Sequence, residues 1–308
     1  MIRLNNNIVN INHFPDGTIR ILDCPLLDKE EVTIHWLFEN NEELLVLYML
    51  TKHLRANYSV KKMVLLMPYI INSRMDRVNY PEAEIFTLKY TCDMINDMKF
   101  DAIYVMHPHS NVSMALLNNC FLDKSYLYMI DGLVKTLEPD YLYYPDEGCK
   151  KQMEKLLTYP YIFGIKHRNW ETGEITGMEV VTNGADLKGK KILMVDDICS
   201  YGTTFLKSLE VLKQMGADEC NIYVTHCENS VLDGDLIKSD LFERIYTTNS
   251  IFTGSHDKIA VNRLYEYYPP QEDIIEESKE NEIVEESKEN EIVEDGNIEN
   301  GEEDKDNN

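Results

Sequence analysis

Residues 191–205, KILMVDDICSYGTTF, constrain the fold more than any other stretch of the chain. Ile192–Val195 is an apolar run of the kind that forms a strand buried on both faces. It leads into two adjacent acids, Asp196 and Asp197, and then into a small polar turn of Ser200, Tyr201, Gly202, Thr203 and Thr204. An amphipathic stretch over 204–215 follows, with Leu206, Leu209, Leu212 and Met215 recurring every three residues. In a parallel α/β sheet, ligands bind beyond the carboxyl ends of strands. A Gly/Thr turn feeding a helix N-terminus offers unpaired N–H groups, hydroxyls and the positive end of the helix dipole, which suits a phosphate. Two carboxylates just upstream suit sugar hydroxyls or, through them, Mg²⁺. The bland alternative is that the acids cap a loop and that SYGTT is a turn with an N-cap.

Similar β-rich runs recur at 62–67, 102–106, 141–144, 161–165, 221–225 and 245–248, with a helix-like pattern over 82–98. Strands alternating with helices imply α/β layers around mainly parallel sheets. The pattern continues on both sides of about residue 130. Two tandem α/β domains are therefore expected, over 1–128 and 129–268.

Composition shifts abruptly after Tyr268. The 308-residue chain carries a net charge of −24, and residues 269–308 hold 17 Asp+Glu against 3 Lys, or −14 of it. EESKENEIV occurs twice in succession within this tail, at 276–284 and 285–293. Such a segment buries too little apolar area to offset its chain entropy, so a disordered acidic tail is expected. It is either a solubilising appendage or a partner-binding segment built on its Ile and Val pairs. The acidic balance disfavours bulk attraction to nucleic acid or anionic membrane. Seven scattered cysteines without a C-x-x-C pair fit a reduced cytoplasmic protein. The longest apolar runs, 44–50 and 63–71, fall short of the roughly 18 residues a membrane span needs. The N-terminus has no apolar signal-like region.

The string around Asp196 resembles the phosphoribosyl-pyrophosphate (PRPP) motif shared by type I phosphoribosyltransferases and PRPP synthetases. Six further segments resemble the synthetase family and follow its order: HFPDGTIRI at 13–21, MPYIINSRMDRV at 67–78, VMHPHS at 105–110, YPDEGC at 144–149, IKHR at 165–168, and the stretch from YVTH to TTNSI at 223–251. The resemblance covers most of residues 13–251. It implies two phosphoribosyltransferase-like domains and an ATP:ribose-5-phosphate diphosphokinase that yields PRPP and AMP.

Carried over residue by residue, the resemblance makes Lys166 and Arg168 the catalytic cations, on a flexible loop whose polar continuation, 169–176, closes as a lid. ATP contacts fall on Phe14, Asp16, Arg74, Asp76 and His109. Ribose 5-phosphate is held by Asp196, Asp197, Ser200, Tyr201, Gly202, Thr203 and Thr204. Mg²⁺, the implied cofactor, sits by His109 and Asp146, with the imidazole acting beside the metal–ATP complex rather than as a tight ligand. In the family the segment around Phe14 reaches a neighbouring subunit's ATP, so a homo-oligomer, at least a dimer, is implied. Asp16 could instead simply cap its Pro-Asp-Gly turn.

Departures from the family pattern stand at His107 in place of the Asp of D-L-H, at Thr18, at Met75, at Ser200 in place of the third acid, and at Tyr201 in place of Thr. Two other functions use part of the same site. A phosphoribosyltransferase that consumes PRPP needs the loop but leaves Phe14, Arg74, His109 and the Lys-x-Arg pair without roles. A catalytically silent homologue would act as a regulatory subunit.

Overall fold

The computed structural model describes residues 1–5, 7–22, 30–78, 84–168 and 175–264. Met1–Asn262 form one compact unit, and a second begins at Arg263. The acidic segment 269–308 lies outside the described residues.

Each stretch of alternating strand and helix folds into its own sheet. The first half comprises β1 (Ile2–Leu4), β2 (Asn7–Ile8), β3 (Asn10–His13), β4 (Ile19–Leu22), β5 (Glu31–Trp36), α1 (Glu42–Asn57), β6 (Lys62–Leu66), α2 (Thr87–Asn96), β7 (Ala102–Met106), α3 (Asn111–Leu116) and β8 (Cys120–Asp123). Its sheet has the order β2-β1-β5-β6-β7-β8, parallel from β5 to β8, while β3 and β4 form a separate hairpin. The central strands are apolar on both faces because helices cover them. Ile34, Leu65 and Ile103 pack with Val46, Leu50 and Leu54 of α1 and with Leu88 and Ile95 of α2.

α4 (Ser125–Leu137) leads to the second half, so the expected boundary at 128/129 falls inside a helix. There follow β9 (Tyr141–Tyr144), α5 (Glu147–Met153), β10 (Tyr161–Arg168), β11 (Ile175–Val181), β12 (Ile192–Cys199), α6 (Thr203–Gln214), β13 (Cys220–Cys227), α7 (Asp235–Lys238), β14 (Ile245–Thr248) and β15 (Ile259–Asn262). The order is β11-β10-β9-β12-β13-β14-β15, parallel except for the β10–β11 hairpin. The chain leaves β9 toward one edge and returns at β12 to build toward the other. The crevice between β9 and β12 is therefore a topological switch point, the place where such sheets bind ligands. Phe205, Leu209 and Leu212 of α6 pack with Ile192, Met194, Ile222 and Val224. Of the expected stripe Leu209 and Leu212 are buried, whereas Leu206 is partly buried and Met215 is exposed, because the buried face passes through Phe205 instead.

Three expectations need correction. β12 does not end at Val195 but runs on to Cys199, because β13 pairs with it through Asp196↔Val224, Ile198↔His226 and Cys199↔Cys227. The Lys-x-Arg pair lies on a strand rather than a loop: β10 continues through it, held by β11 in the register Lys166↔Met178 and Arg168↔Ile175. Of the anticipated lid, 169–174 lies outside the described residues and 175–176 begins β11. The helical pattern over 82–98 contracts to Thr87–Asn96, with 82–83 outside the described residues.

Candidate functional site

The strand ends of both sheets meet. His226 Nε2 on β13 donates to Met106 O at the end of β7, 2.9 Å away, and His107 Nδ1 lies 2.7 Å from Thr225 Oγ1. Beside this junction opens a cavity of about 600 Å³, lined by Arg74, Asp76, His109, Asp146, Lys166, Asp196, Asp197 and the whole of Ser200–Thr204, among others. Residues on β10 and β12 and in the segments that follow β6, β7 and β9 thus converge from a sequence span of more than a hundred residues.

Because β12 is extended through both acids, Asp196 and Asp197 point to opposite faces of the strand. Their surroundings differ accordingly. Burial and the neighbouring Asp197 and Asp146 carboxylates push Asp196 well above the usual carboxylate range, only partly offset by Lys166. Burial also acts on Asp197, but the hydrogen bond and charge of His109 outweigh it and hold its pKa at about 2. His109 Nδ1 donates to Asp197 Oδ2 at 2.8 Å, and that bond raises the imidazole's pKa against its own burial. His107 and His226, also near Asp197, are pushed down to about 4 by burial and stay neutral at pH 7.

Asp146 is the N-cap of α5, accepting from Cys149 N–H at 2.9 Å through Oδ1, the role expected of Asp just before a helix. Its other oxygen accepts from Lys166 Nζ at 2.8 Å. Burial opposes ionisation of Asp146, but the Lys166 charge and hydrogen bond prevail and its pKa is lowered. Lys166 is thereby fixed at the cavity wall, only 15% exposed. Arg168 lies on the same strand; the placement of its side chain is outside the described residues.

The loop between β12 and α6 is set by Gly202, which caps the helix with φ +81°. That left-handed conformation strains any residue with a Cβ, and a Cβ here would also sit 2.4 Å from Leu236 Cδ2. No side chain caps α6, so its first N–H groups remain for a ligand. Tyr201 is 58% exposed, and its backbone carbonyl packs against Gly234. The bulky ring therefore points outward at the rim.

Phe14 and Asp16 stand apart. They form the β3–β4 hairpin turn, with Phe14 half-exposed, and neither lines the cavity. Asp16 accepts from the Thr18 N–H and hydroxyl at 3.0 and 2.7 Å, and the Thr18 N–H holds its carboxyl below the usual range. Asp16 therefore caps its turn here. Asp76 is buried, hydrogen-bonded by Arg77 Nε at 2.8 Å. His107, at the position of the family's acid, is buried with φ +41° and stacks on Tyr126 at 4.3 Å.

Two residues with evident roles escaped the sequence reading. Gln152 donates to His109 O at 3.1 Å, steadying that histidine. Glu228 bonds both Ser200 and Arg74. An acid soon after an apolar run, as Asp196 and Asp197 stand after Ile192–Val195, is the signal that would have found Glu228.

The site joins an anion-binding helix N-terminus to a carboxylate pair and fixed cations, a combination suited to a phosphorylated, hydroxyl-bearing ligand. Residues 152–254 match the phosphoribosyl transferase domain. The fold is that of a phosphoribosylpyrophosphate synthetase from Mycobacterium smegmatis, at a TM-score of 0.63 and 17% identity over 83% of this chain and 86% of that one. These features define a protein of two phosphoribosyltransferase-like α/β halves. The chain is 30% identical to a ribose-phosphate pyrophosphokinase of Pyrococcus furiosus over 227 residues, 71% of this chain and 77% of the relative. A ribose-phosphate pyrophosphokinase of Pyrococcus abyssi is 27% identical over 244 residues, 73% and 79% respectively. The chain belongs to the ribose-phosphate pyrophosphokinase family.

The donor set can be weighed against Mg²⁺, the metal the resemblance implies. Among the described residues no three His, Cys, Asp or Glu converge to hold an ion unaided. His109 Nδ1 is committed to Asp197, and one Asp146 oxygen to Lys166. Yet the mutual repulsion of Asp196, Asp197 and Asp146 is an excess of negative charge that a cation would neutralise. The site fits an ion that keeps several waters and takes other ligands from substrate phosphates, as Mg²⁺ does.

Proposed function

We propose that the chain is a ribose-phosphate diphosphokinase, transferring the diphosphoryl group of Mg-ATP to the anomeric hydroxyl of ribose 5-phosphate to give PRPP and AMP. The observation that carries this reading is the single cavity in which Arg74, Asp76, His109 and Lys166 share walls with the phosphate loop. A phosphoribosyltransferase would leave Arg74, His109 and Lys166 without a task.

In this reading the α6 N-terminus, with Ser200, Thr203 and Thr204, binds the 5-phosphate, and Asp196 and Asp197 accept hydrogen bonds from the ribose hydroxyls. Arg74, Asp76 and His109 bind the nucleotide on the facing wall. The anomeric oxygen bonds to the β-phosphorus, and the bond from that phosphorus to the α–β bridging oxygen breaks. AMP keeps that electron pair, and the hydroxyl proton passes to solvent. Lys166, held by Asp146, and Arg168 from the same strand stabilise charge spreading over the transferring oxygens, since such chemistry depends mainly on positioning and electrostatics. Mg²⁺, held near Asp146 and His109, would neutralise phosphate charge.

Phe14, exposed on the hairpin and absent from its own cavity, suits insertion into a neighbour's nucleotide site, so a homo-oligomer belongs to the proposal. Light scattering tests the assembly. Incubation with Mg²⁺, ATP and ribose 5-phosphate tests the activity: AMP and PRPP in equal amounts are expected. Pyrophosphate release from PRPP and a base, with no AMP formed, would instead identify a phosphoribosyltransferase. Inactivity in both assays would identify a silent homologue.

A further inference from the structure

Glu228 lies outside the phosphate loop, yet it holds both the loop and Arg74. It directly follows β13, and its backbone N–H donates to Cys199 O at 2.8 Å, fixing it against the start of the loop. Its Oε2 accepts from the Ser200 hydroxyl at 2.6 Å and from Ser230 at 3.2 Å. Its Oε1 accepts from the Arg74 guanidinium. Ser200 directly follows β12 of the second sheet, whereas Arg74 comes from the segment after β6 in the first. One carboxylate thus spans the two walls of the cavity.

The loop itself carries no charge from Ile198 to Thr204, and residue 200 is a serine. We propose that Glu228 is a positioning residue for the diphosphoryl transfer. It supplies from the neighbouring strand the carboxylate the loop lacks, and it locks the nucleotide-side cation Arg74 to the sugar-phosphate loop. This rests on the reading under Proposed function, in which those two groups serve different substrates.

Arg74 is 49% exposed and Glu228 24%. A pair so open to water contributes little to global stability. Its effect falls instead on where its partners stand. Without the carboxylate, Arg74 is free to swing toward solvent and Ser200 loses its acceptor, so binding on both walls weakens together.

Three variants of the full chain separate charge, bonding and location. Glu228→Gln keeps length and hydrogen-bonding capacity but removes the charge. Glu228→Ala removes all three. The double variant Ser200→Asp, Glu228→Gln returns a carboxylate to the loop within reach of an amide bridge to Arg74. Binding of ATP and of ribose 5-phosphate is measured separately by calorimetry, beside KM, kcat and Tm.

Glu228→Gln is expected to raise KM for both substrates about 3- to 10-fold with little change in kcat or Tm, the size of a charge-assisted bond discounted for exposure. Glu228→Ala should raise both further, and the double variant should recover most of the loss. Unchanged KM values, a fall in Tm alone, or a double variant no better than Glu228→Gln would overturn the proposal. So would a tighter KM for ATP, which would make Glu228 a competitor for Arg74. Failure of the unmodified protein to bind either substrate would refute the functional reading and this inference with it. Normal binding with unaltered variants would refute this inference alone.

Discussion

His109 Nδ1 donates to Asp197 Oδ2 across 2.8 Å, joining residues 88 apart in sequence and closing the end of β7 against β12. The bond makes each partner's charge depend on the other, and it leaves Asp196, one residue away, on the opposite face of the strand with like charges for neighbours. The site is therefore electrostatically lopsided: Asp197 has a histidine partner, whereas Asp196, although it accepts from the Asp197 N–H at 3.0 Å, is crowded by like charges.

Asp196→Asn and Asp197→Asn should shift stability in opposite directions. Removing the Asp196 charge relieves repulsion; if that relief is about 1 kcal/mol, Tm rises by roughly 2–4 °C. Removing the Asp197 charge takes the acceptor for a charge-assisted bond away from His109, and a loss of about 1–3 kcal/mol follows. Thermal melts of the two variants check this, and matching signs would refute the asymmetry. Both should lose affinity for ribose 5-phosphate.

The same pair gives stability a pH signature. The pKa of His109 is raised above an unfolded value near 6.5, so its contribution is complete below that pH and disappears as pH climbs through the raised pKa. Asp197 is depressed, so its contribution is complete above an unfolded pKa near 3.9 and disappears as pH falls toward about 2. Melts of the unmodified protein and of His109→Gln between pH 5 and 9 should differ most at the acidic end and converge at the alkaline end.

Lys166→Ala should lower kcat by about 10²- to 10³-fold, as losing one preorganised charge at a transferring group does, while ribose 5-phosphate binding changes little. The variant also takes from Asp146 the charge and hydrogen bond that offset its burial, so its pKa should rise. Full turnover in Lys166→Ala would remove the lysine from the mechanism.

Gly234→Ala tests the support beneath the loop. Gly234 has φ −72°, which alanine adopts freely, but a Cβ there would lie 2.1 Å from the Tyr201 carbonyl oxygen. The loop must move, at about 1–3 kcal/mol for such overpacking. Ribose 5-phosphate affinity should fall about 10-fold or more while ATP affinity is nearly kept, as two calorimetric titrations would show.

How much was legible in the sequence varied element by element. The apolar run at Ile192–Val195 and the Gly/Thr turn gave the strand, the loop and the start of the helix that follows, because each depends on local patterning. The end of β12 was not legible: Asp196 and Asp197 read as loop residues, and only pairing with β13 extends the strand beneath them. The strand placement of Lys166 was not legible for the same reason: the resemblance implied a loop, and only pairing with β11 makes the segment a strand. Glu228 was missed because its two partners lie 28 and 154 residues away.

The sequence by itself determined the α/β alternation, the Gly/Thr turn between β12 and α6, and the family. These follow from side-chain periodicity and from motif order, which need no knowledge of distant contacts. The tertiary structure alone decided which acid gains a histidine partner and which is crowded by like charges, that Lys166 stands fixed on Asp146, and that Glu228 bridges the two walls. Charge interactions depend on distance in space and on burial, and neither is set until the two sheets have met.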